Sequence, residues 1–386
     1  MFPHYLDANA SEPIRPAALT ATQQTLRVIG NPSSVHGAGR AARGVLEDAR
    51  EALAALYGTA PRNLIFTSGG TESDTLAIHA LGAARRVIAA SIEHDAIRAA
   101  APDAEHLPVD RHGVADLEAL ERMLRDGPPS LVCLMLANNE TGVIQPVAAA
   151  AELCRGHGAL LHTDAVQAAG RIRLSLAALG AHSLAISSHK LGGPAGAGAL
   201  LLAPDADIAT PLISGGGQER GRRGGTPPVA IIAGFAAAAT AARSDLGTSS
   251  AANALAALRD RAEGAAVAEG AIVCGGGAPR LANTTCLALP GFRADAQVIA
   301  LDLEGIAVSA GAACSSGKVR TSHVLTAMGL GALAGEAIRV SLPWNTAPAD
   351  IDAFAAAYAR MAARLRAARA VPPLDPTGAA HRLTPD

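Results

Sequence analysis

Lys190 closes the run Ser187-Ser188-His189-Lys190, directly after the apolar segment Leu184-Ala185-Ile186. A lysine amine just past a buried strand forms a Schiff base with a carbonyl when its surroundings favour the neutral amine. Asp164 lies 26 residues earlier, at the end of another short apolar segment, where a carboxylate can face a cationic ring nitrogen. Ser68-Gly69-Gly70-Thr71 stands immediately before a helical pattern, and the backbone N–H groups that open a helix bind phosphate. Bland alternatives exist for each. Lys190 can be a solvated lysine, Asp164 a helix N-cap, and the glycines an ordinary turn. The three gain weight in combination, because a Schiff-base lysine, an acidic partner for a ring nitrogen and a phosphate cup are what pyridoxal 5'-phosphate demands. Glu93-His94, Asn138-Asn139-Glu140-Thr141-Gly142 and His162-Thr163-Asp164-Ala165-Val166-Gln167 also follow apolar segments. Polar clusters of differing chemistry at the ends of successive strands describe a built site.

The strands needed to place these clusters are residues 64–67, 87–90, 131–136, 160–162, 184–186 and 199–202. Helical periodicity fills most of the gaps, as at 116–124 and 147–155, and this rhythm predicts an α/β fold with a mainly parallel central sheet between helices. Residues 213–228, rich in Gly and Arg, form an ordered loop, and 244–252 are a hinge after which the rhythm changes. Strands at 284–289 and 338–342 with helices at 294–303 and 350–368 predict a smaller α+β domain. The division expected is 15–250 for a large cofactor-binding domain, with 1–14 and 251–386 making the smaller one. The tail 371–386, with four prolines, is expected to be loosely held.

Composition narrows the classes. Lys plus Arg is 32 against 34 for Asp plus Glu, with no basic block, which argues against nucleic-acid binding. The longest uncharged apolar stretch, 227–242, is alanine-rich and holds two prolines and a glycine, so a membrane span is not expected. The first residues carry no export signal, and a cytoplasmic protein is expected. Five cysteines without a CxxC pair make neither a disulfide framework nor a metal site.

The motifs in series resemble the cysteine desulfurases of the NifS/IscS type, pyridoxal-phosphate enzymes of the class V aminotransferase group. The resemblance rests on Gly-Asn-Pro-Ser-Ser-Val-His (30–36), Thr-Ser-Gly-Gly-Thr-Glu-Ser (67–73), Glu-His (93–94), Asn-Asn-Glu-Thr-Gly (138–142), Asp-Ala-Val-Gln (164–167) and Ser-Ser-His-Lys (187–190). It continues through 215–221, 224–227, Ser-Ala-Gly-Ala-Ala-Cys-Ser-Ser-Gly (309–317) and Ile-Arg-Val-Ser-Leu (338–342). It implies a type I pyridoxal-phosphate transferase fold and a set of roles. Lys190 holds the cofactor and shuttles protons, Asp164 pairs with the ring nitrogen, Gln167 meets the ring's phenolic oxygen, and His94 stacks on the ring. Gly70, Thr71, Ser187 and His189 hold the phosphate, with Thr226 reaching the site of a partner subunit in a homodimer. Asn139, beside the ring, and Arg339 bind the substrate carboxylate.

Cys314 lies among small residues, Ala310-Gly311-Ala312-Ala313 before it and Ser315-Ser316-Gly317 after. The resemblance implies that its thiol takes sulfur from L-cysteine as a persulfide and leaves L-alanine. Acceptor proteins such as an iron–sulfur scaffold then receive the sulfur. The 24 residues between Cys314 and Arg339 resemble the members with a long, mobile cysteine loop. Selenocysteine lyase, or another class V lyase or aminotransferase, is the nearest alternative, and a catalytically silent scaffold is the alternative from another class. Residues 311–318 miss a nucleotide P-loop, having Val319 where Ser or Thr is required. Three positions depart from the family pattern. Glu12 stands where a hydroxyl is usual and is expected near the site mouth, Ala195 replaces a lysine, and Pro343 replaces a glycine.

Overall fold

The computed structural model describes residues 4–125, 127–247, 249–311 and 321–370. Its strands are β1 (His4–Tyr5), β2 (Leu64–Thr67), β3 (Arg86–Ala90), β4 (Glu105–Leu107), β5 (Ser130–Cys133), β6 (Leu160–Asp164), β7 (Ser183–Ser187), β8 (Gly198–Leu202), β9 (Ile272–Val273), β10 (Thr284–Ala288), β11 (Ile306–Ala307), β12 (Ser309–Ala310) and β13 (Ala337–Ser341). Seven of them make one sheet in the order β2-β8-β7-β6-β5-β3-β4. The pairs β7-β6, β6-β5, β5-β3 and β3-β4 are parallel, whereas β8 runs antiparallel to both β7 and β2. Their sequences explain the placement. β2, β5, β7 and β8 are buried at every position, as near-continuous apolar strands covered by helices on both faces must be.

The sheet is mainly parallel, as the rhythm predicts, with one added strand and one that ends early. The three-residue edge strand β4 escapes a hydrophobicity reading because two of its three residues are exposed. The run 131–136 is a strand only to Cys133. Beyond it, Leu134 N and Leu136 N still donate to His162 O and Asp164 O, but the chain bends away to bring residues 137–140 over the sheet's edge.

Helix Asp116-capped Leu117–Leu124 shows why local signals succeed here. The Asp116 carboxylate accepts from Ala119 N at 2.9 Å, satisfying one of the donors a helix start leaves free. The loop at 213–228 is ordered by its charges. Glu219 receives both terminal nitrogens of Arg50 at 2.7 and 2.8 Å and also Phe66 N at 3.0 Å.

A second sheet, β12-β13-β10-β9, packs with helices Ala294–Asp302 and Pro348–Ala370 around Leu6, Leu287, Leu301, Ile338, Phe354, Tyr358 and Met361. The N-terminal segment crosses between the two sheets. β1 pairs with β11, Asp7 bridges Ser341, and Asn9 reaches Asn139 O and Thr284 Oγ1. Val324, Leu325 and Met328 pack instead against the core of the larger sheet. Cys133, Cys154, Cys274 and Cys286 are free and buried. Cys314 lies outside the described residues.

Gly198 opens β8 between Thr67 of β2 and Ser187 of β7. A Cβ there would lie 2.7 Å from Gly69 Cα and carbonyl carbon, backbone that has nowhere to retreat. Gly198→Ala is expected to destabilise the fold by about 1–3 kcal/mol, read from urea unfolding; an unchanged midpoint would show that the turn gives way.

Candidate active site

A cavity of about 340 Å³ opens at the carboxyl ends of β2, β6 and β7, a volume typical of small-molecule sites. It is lined by ten of the sequence-selected residues: Gly70, Thr71, His94, Asn139, Asp164, Gln167, Ser187, His189, Lys190 and Arg339. Thr226 is exposed on a loop and does not line it.

One end is built for an anion. Helix Gly70–Leu81 begins at the cavity, and its first intrahelical bond is Ser73 N to Gly69 O at 3.1 Å, so the N–H groups before it have no helical acceptor. Ser187 Oγ and His189 Nδ1, 3.1 Å apart, complete that end. Burial and the neighbouring Lys190 push His189 down to about 4, which leaves its ring neutral and free to donate from one nitrogen.

The other end is acidic. Asp164 closes β6, and its carboxylate accepts from Val166 N at 2.8 Å. This is a turn contact, not the helix cap that a bland reading allows. Burial raises the Asp164 carboxyl, opposed by His94 and Lys190. Beneath it, helix Gly70–Leu81 presents Asp74 on its buried face, where Asp74 meets His162 Nε2 at 3.1 Å. Asp74 is raised well above the usual carboxyl range by burial and by Asp164 and Glu93. Glu93 itself is pushed up to about 8 by burial. Among these three carboxyls Asp164 is the one whose rise is opposed by the neighbouring Lys190. His94 Nδ1 accepts from Ala96 N at 3.1 Å, which leaves Nε2 as the ring nitrogen that carries a proton.

Lys190 sits between the two ends. Its Nζ donates to Asn9 O at 2.6 Å and Ala10 O at 3.0 Å. Burial, then Arg339 and Arg171, lower it to about 8, against Asp164 and Asp7. At pH 7 about a tenth of such an amine is neutral, some hundreds of times more than an ordinary lysine. Covalent labelling of the cofactor-free protein with an amine reagent is expected to favour Lys190, rising with pH to a half-maximum near pH 8. A half-maximum above pH 10 would show an ordinary solvated lysine.

Arg339 on β13 reaches the cavity from the second sheet. It donates to Asp7 Oδ1 at 2.7 Å and to Asn139 O at 3.2 Å, and its buried Nε has no acceptor among the described residues. A small carboxylate would supply one.

Several residues of the site escape sequence reasoning. Asp74 carries a usable signal, a charge on the apolar stripe of an amphipathic helix. Asp7, Asn9 and Arg171 carry none, since their roles depend on the N-terminal segment crossing the cavity. Glu12 does not lie at the mouth. It is 7% exposed and pairs with Arg171 at 2.9 Å, because the Asp7–Ser11 turn directs it inward behind Lys190.

Comparison with known proteins gives consistent findings. The family model described as Aminotransferase class-V matches residues 4–354. The chain is 39% identical to a protein of Mycobacterium tuberculosis named IscS-like cysteine desulfurase, over 94% of this chain and 97% of that one. It is 43% identical to a cysteine desulfurase of Cereibacter sphaeroides, over 90% and 92% of the two. A NifS-like protein from Rickettsia africae has a solved structure that superposes with a TM-score of 0.86 at 34% identity, over 93% of this chain and 99% of that one.

Proposed function

The chain belongs to the aminotransferase class-V family, and from that premise we propose that it is a pyridoxal-phosphate-dependent cysteine desulfurase, releasing L-alanine from L-cysteine and retaining the sulfur as a persulfide on Cys314. The observation that carries the reading is one cavity holding, in order, an anion cup, an amine brought near neutrality and a buried carboxylate.

The donor set fits the cofactor. Gly70, Thr71, Ser187 and His189 would hold its phosphate, Asp164 its ring nitrogen, Gln167 its phenolic oxygen, and Lys190 would anchor it. When bound, pyridoxal phosphate supplies an electron sink that stabilises charge at the substrate α-carbon. Asp164 would keep the ring nitrogen protonated, since a buried carboxylate without a cation is costly. Arg339, with Asn139, orients the substrate carboxylate. Lys190, released to its neutral form, removes the proton from the substrate α-carbon, and His94 Nε2 is placed to hold a proton over the cavity. The Cys314 thiolate then bonds to the substrate sulfur as the sulfur–carbon bond breaks. The remaining carbon fragment takes up two protons, one at the carbon that lost sulfur and one that Lys190 returns to the α-carbon, and leaves as L-alanine. No external oxidant is required, because the sulfur atom moves whole.

Thr226 is proposed to complete the phosphate cup of a second copy. Support comes from its exposed loop, whose neighbours Gln218, Arg220 and Pro227 share a groove with Pro32 and Ser33. Ile29 and Val35 beside that groove are 83% and 84% exposed, apolar surface that a partner would cover. Free buried thiols suit a reducing compartment, and the cytoplasm is the location proposed. Among the described residues no helix is long and apolar enough to cross a membrane. The sulfur is proposed to pass to acceptor proteins such as an iron–sulfur scaffold. The test is incubation of the reconstituted protein with L-cysteine and a thiol reductant. Equal amounts of alanine and sulfide support the reading, and cofactor uptake without alanine refutes it.

A further inference from the structure

Gln167 lines the cavity with an amide whose two ends are chemically opposite, and its neighbours decide which end faces the ligand. Arg171 Nη1 donates to Gln167 Oε1 at 2.6 Å and to Gln167 O at 3.0 Å. Gln167 Nε2 donates to Asn9 O at 3.0 Å. A guanidinium only donates and a carbonyl only accepts. Rotating the amide by half a turn would set donor against donor and acceptor against acceptor. One orientation is therefore enforced, with the oxygen consumed and the second Nε2 hydrogen left for the cavity.

Arg171 needs an anchor of its own. It is buried, and the other cations near it are Arg15, Arg339 and Lys190. Glu12 is the acid that pairs with Arg171: Oε2 receives Arg171 Nη2 at 2.9 Å and Oε1 receives Trp344 N at 2.6 Å. Both partners of Glu12 are donors, so neither a hydroxyl nor an amide at this position would satisfy them equally. Ala8 O takes a further bond from Arg171 Nη2 at 3.2 Å. The pair spans the wall between the cavity and a second hollow of about 240 Å³ behind Lys190, which Glu12, Arg171 and Trp344 line.

We infer that Glu12 and Arg171 are positioning residues that lock the Gln167 amide so that it offers the bound cofactor's ring oxygen only a hydrogen-bond donor, favouring the unprotonated oxygen. The inference rests on the reading of the cavity as a pyridoxal phosphate site. Neither Glu12 nor Arg171 touches the cofactor in this scheme; the effect passes through Gln167.

The experiment is a spectroscopic pH titration of the holoenzyme reconstituted with pyridoxal phosphate, following the visible absorbance of the bound cofactor. Removing the donor in Gln167→Ala is expected to raise the titration midpoint by about one pH unit, a tenfold change in proton affinity. The double variant Glu12→Leu with Arg171→Met removes both charges together, so no unpaired ion is left buried. It is expected to raise the midpoint as far as Gln167→Ala does, and the triple variant is expected to add nothing. A double variant with the wild-type midpoint overturns the inference. So does a triple variant whose shift is the sum of the two, which would mean the charges act directly through space. Should the double variant fail to fold, Arg171→Lys carries the test. It keeps the charge and loses the two-pronged reach, and its midpoint must rise and must not rise further when Gln167→Ala is added. Wild-type protein that takes up no pyridoxal phosphate overturns the functional reading and this inference together; a loaded protein with additive shifts overturns the inference alone.

Discussion

Replacing Cys314 with alanine is expected to leave cofactor uptake unchanged and to lower alanine formation from L-cysteine by on the order of a thousandfold or more, the scale seen when a nucleophile is deleted from an otherwise intact site. No other thiol stands ready to substitute. Cys133 and Cys154 are pushed up by burial, Cys133 well above the usual thiol range and Cys154 to about 12. Cys286 is raised well above it by its contact with Cys274 and by burial. Cys274 is lowered by that same contact but is 2% exposed. None of the four lines the cavity. Equal alanine formation with and without Cys314 would move the chain to a lyase that breaks the carbon–sulfur bond without a protein thiol, selenocysteine lyase among them.

The second large effect is that of Lys190→Ala, expected to cost about a thousandfold or more, since it removes the amine proposed both to anchor the cofactor and to act as base at the substrate α-carbon. Borohydride reduction is expected to fix cofactor to the wild-type chain and none to this variant. Folding should survive. The amine's two acceptors are backbone carbonyls, and one of them, Asn9 O, retains the bond from Gln167 Nε2. A variant that keeps a tenth or more of the activity would make another group the base, with His94 the first to test.

Which parts of this arrangement can be read from the chain follows from how far each signal reaches. Apolar segments at 64–67, 184–186 and 199–202 lie within β2, β7 and β8 because a strand buried on both faces announces itself locally. The polar residues after β2 and β7 converge because the carboxyl ends of parallel strands share an edge, whereas β8 runs the other way. What stays hidden depends on contacts between distant segments. The antiparallel entry of β8 between β2 and β7 has no local mark. Neither does the path of residues 7–12, which bring Asp7 to Arg339, Asn9 to Lys190 and Glu12 to Arg171. Glu12 is noticeable as a departure from the family pattern, yet its burial against a cation 159 residues away cannot be read from either end. Arg171 follows Gln167 by four residues, a helical contact spacing, but the segment is a turn with no helical pattern to draw attention to it.

The burial of four cysteines in the packed interior also decides what can be learned by protein chemistry. An alkylating reagent applied to the native chain has a blank background at positions 133, 154, 274 and 286. Mass spectrometry after exposure to L-cysteine thus distinguishes catalysis from damage within one digest. Sulfur gained at Cys314 alone is turnover, and label at any of the other four counts the molecules that had already come apart.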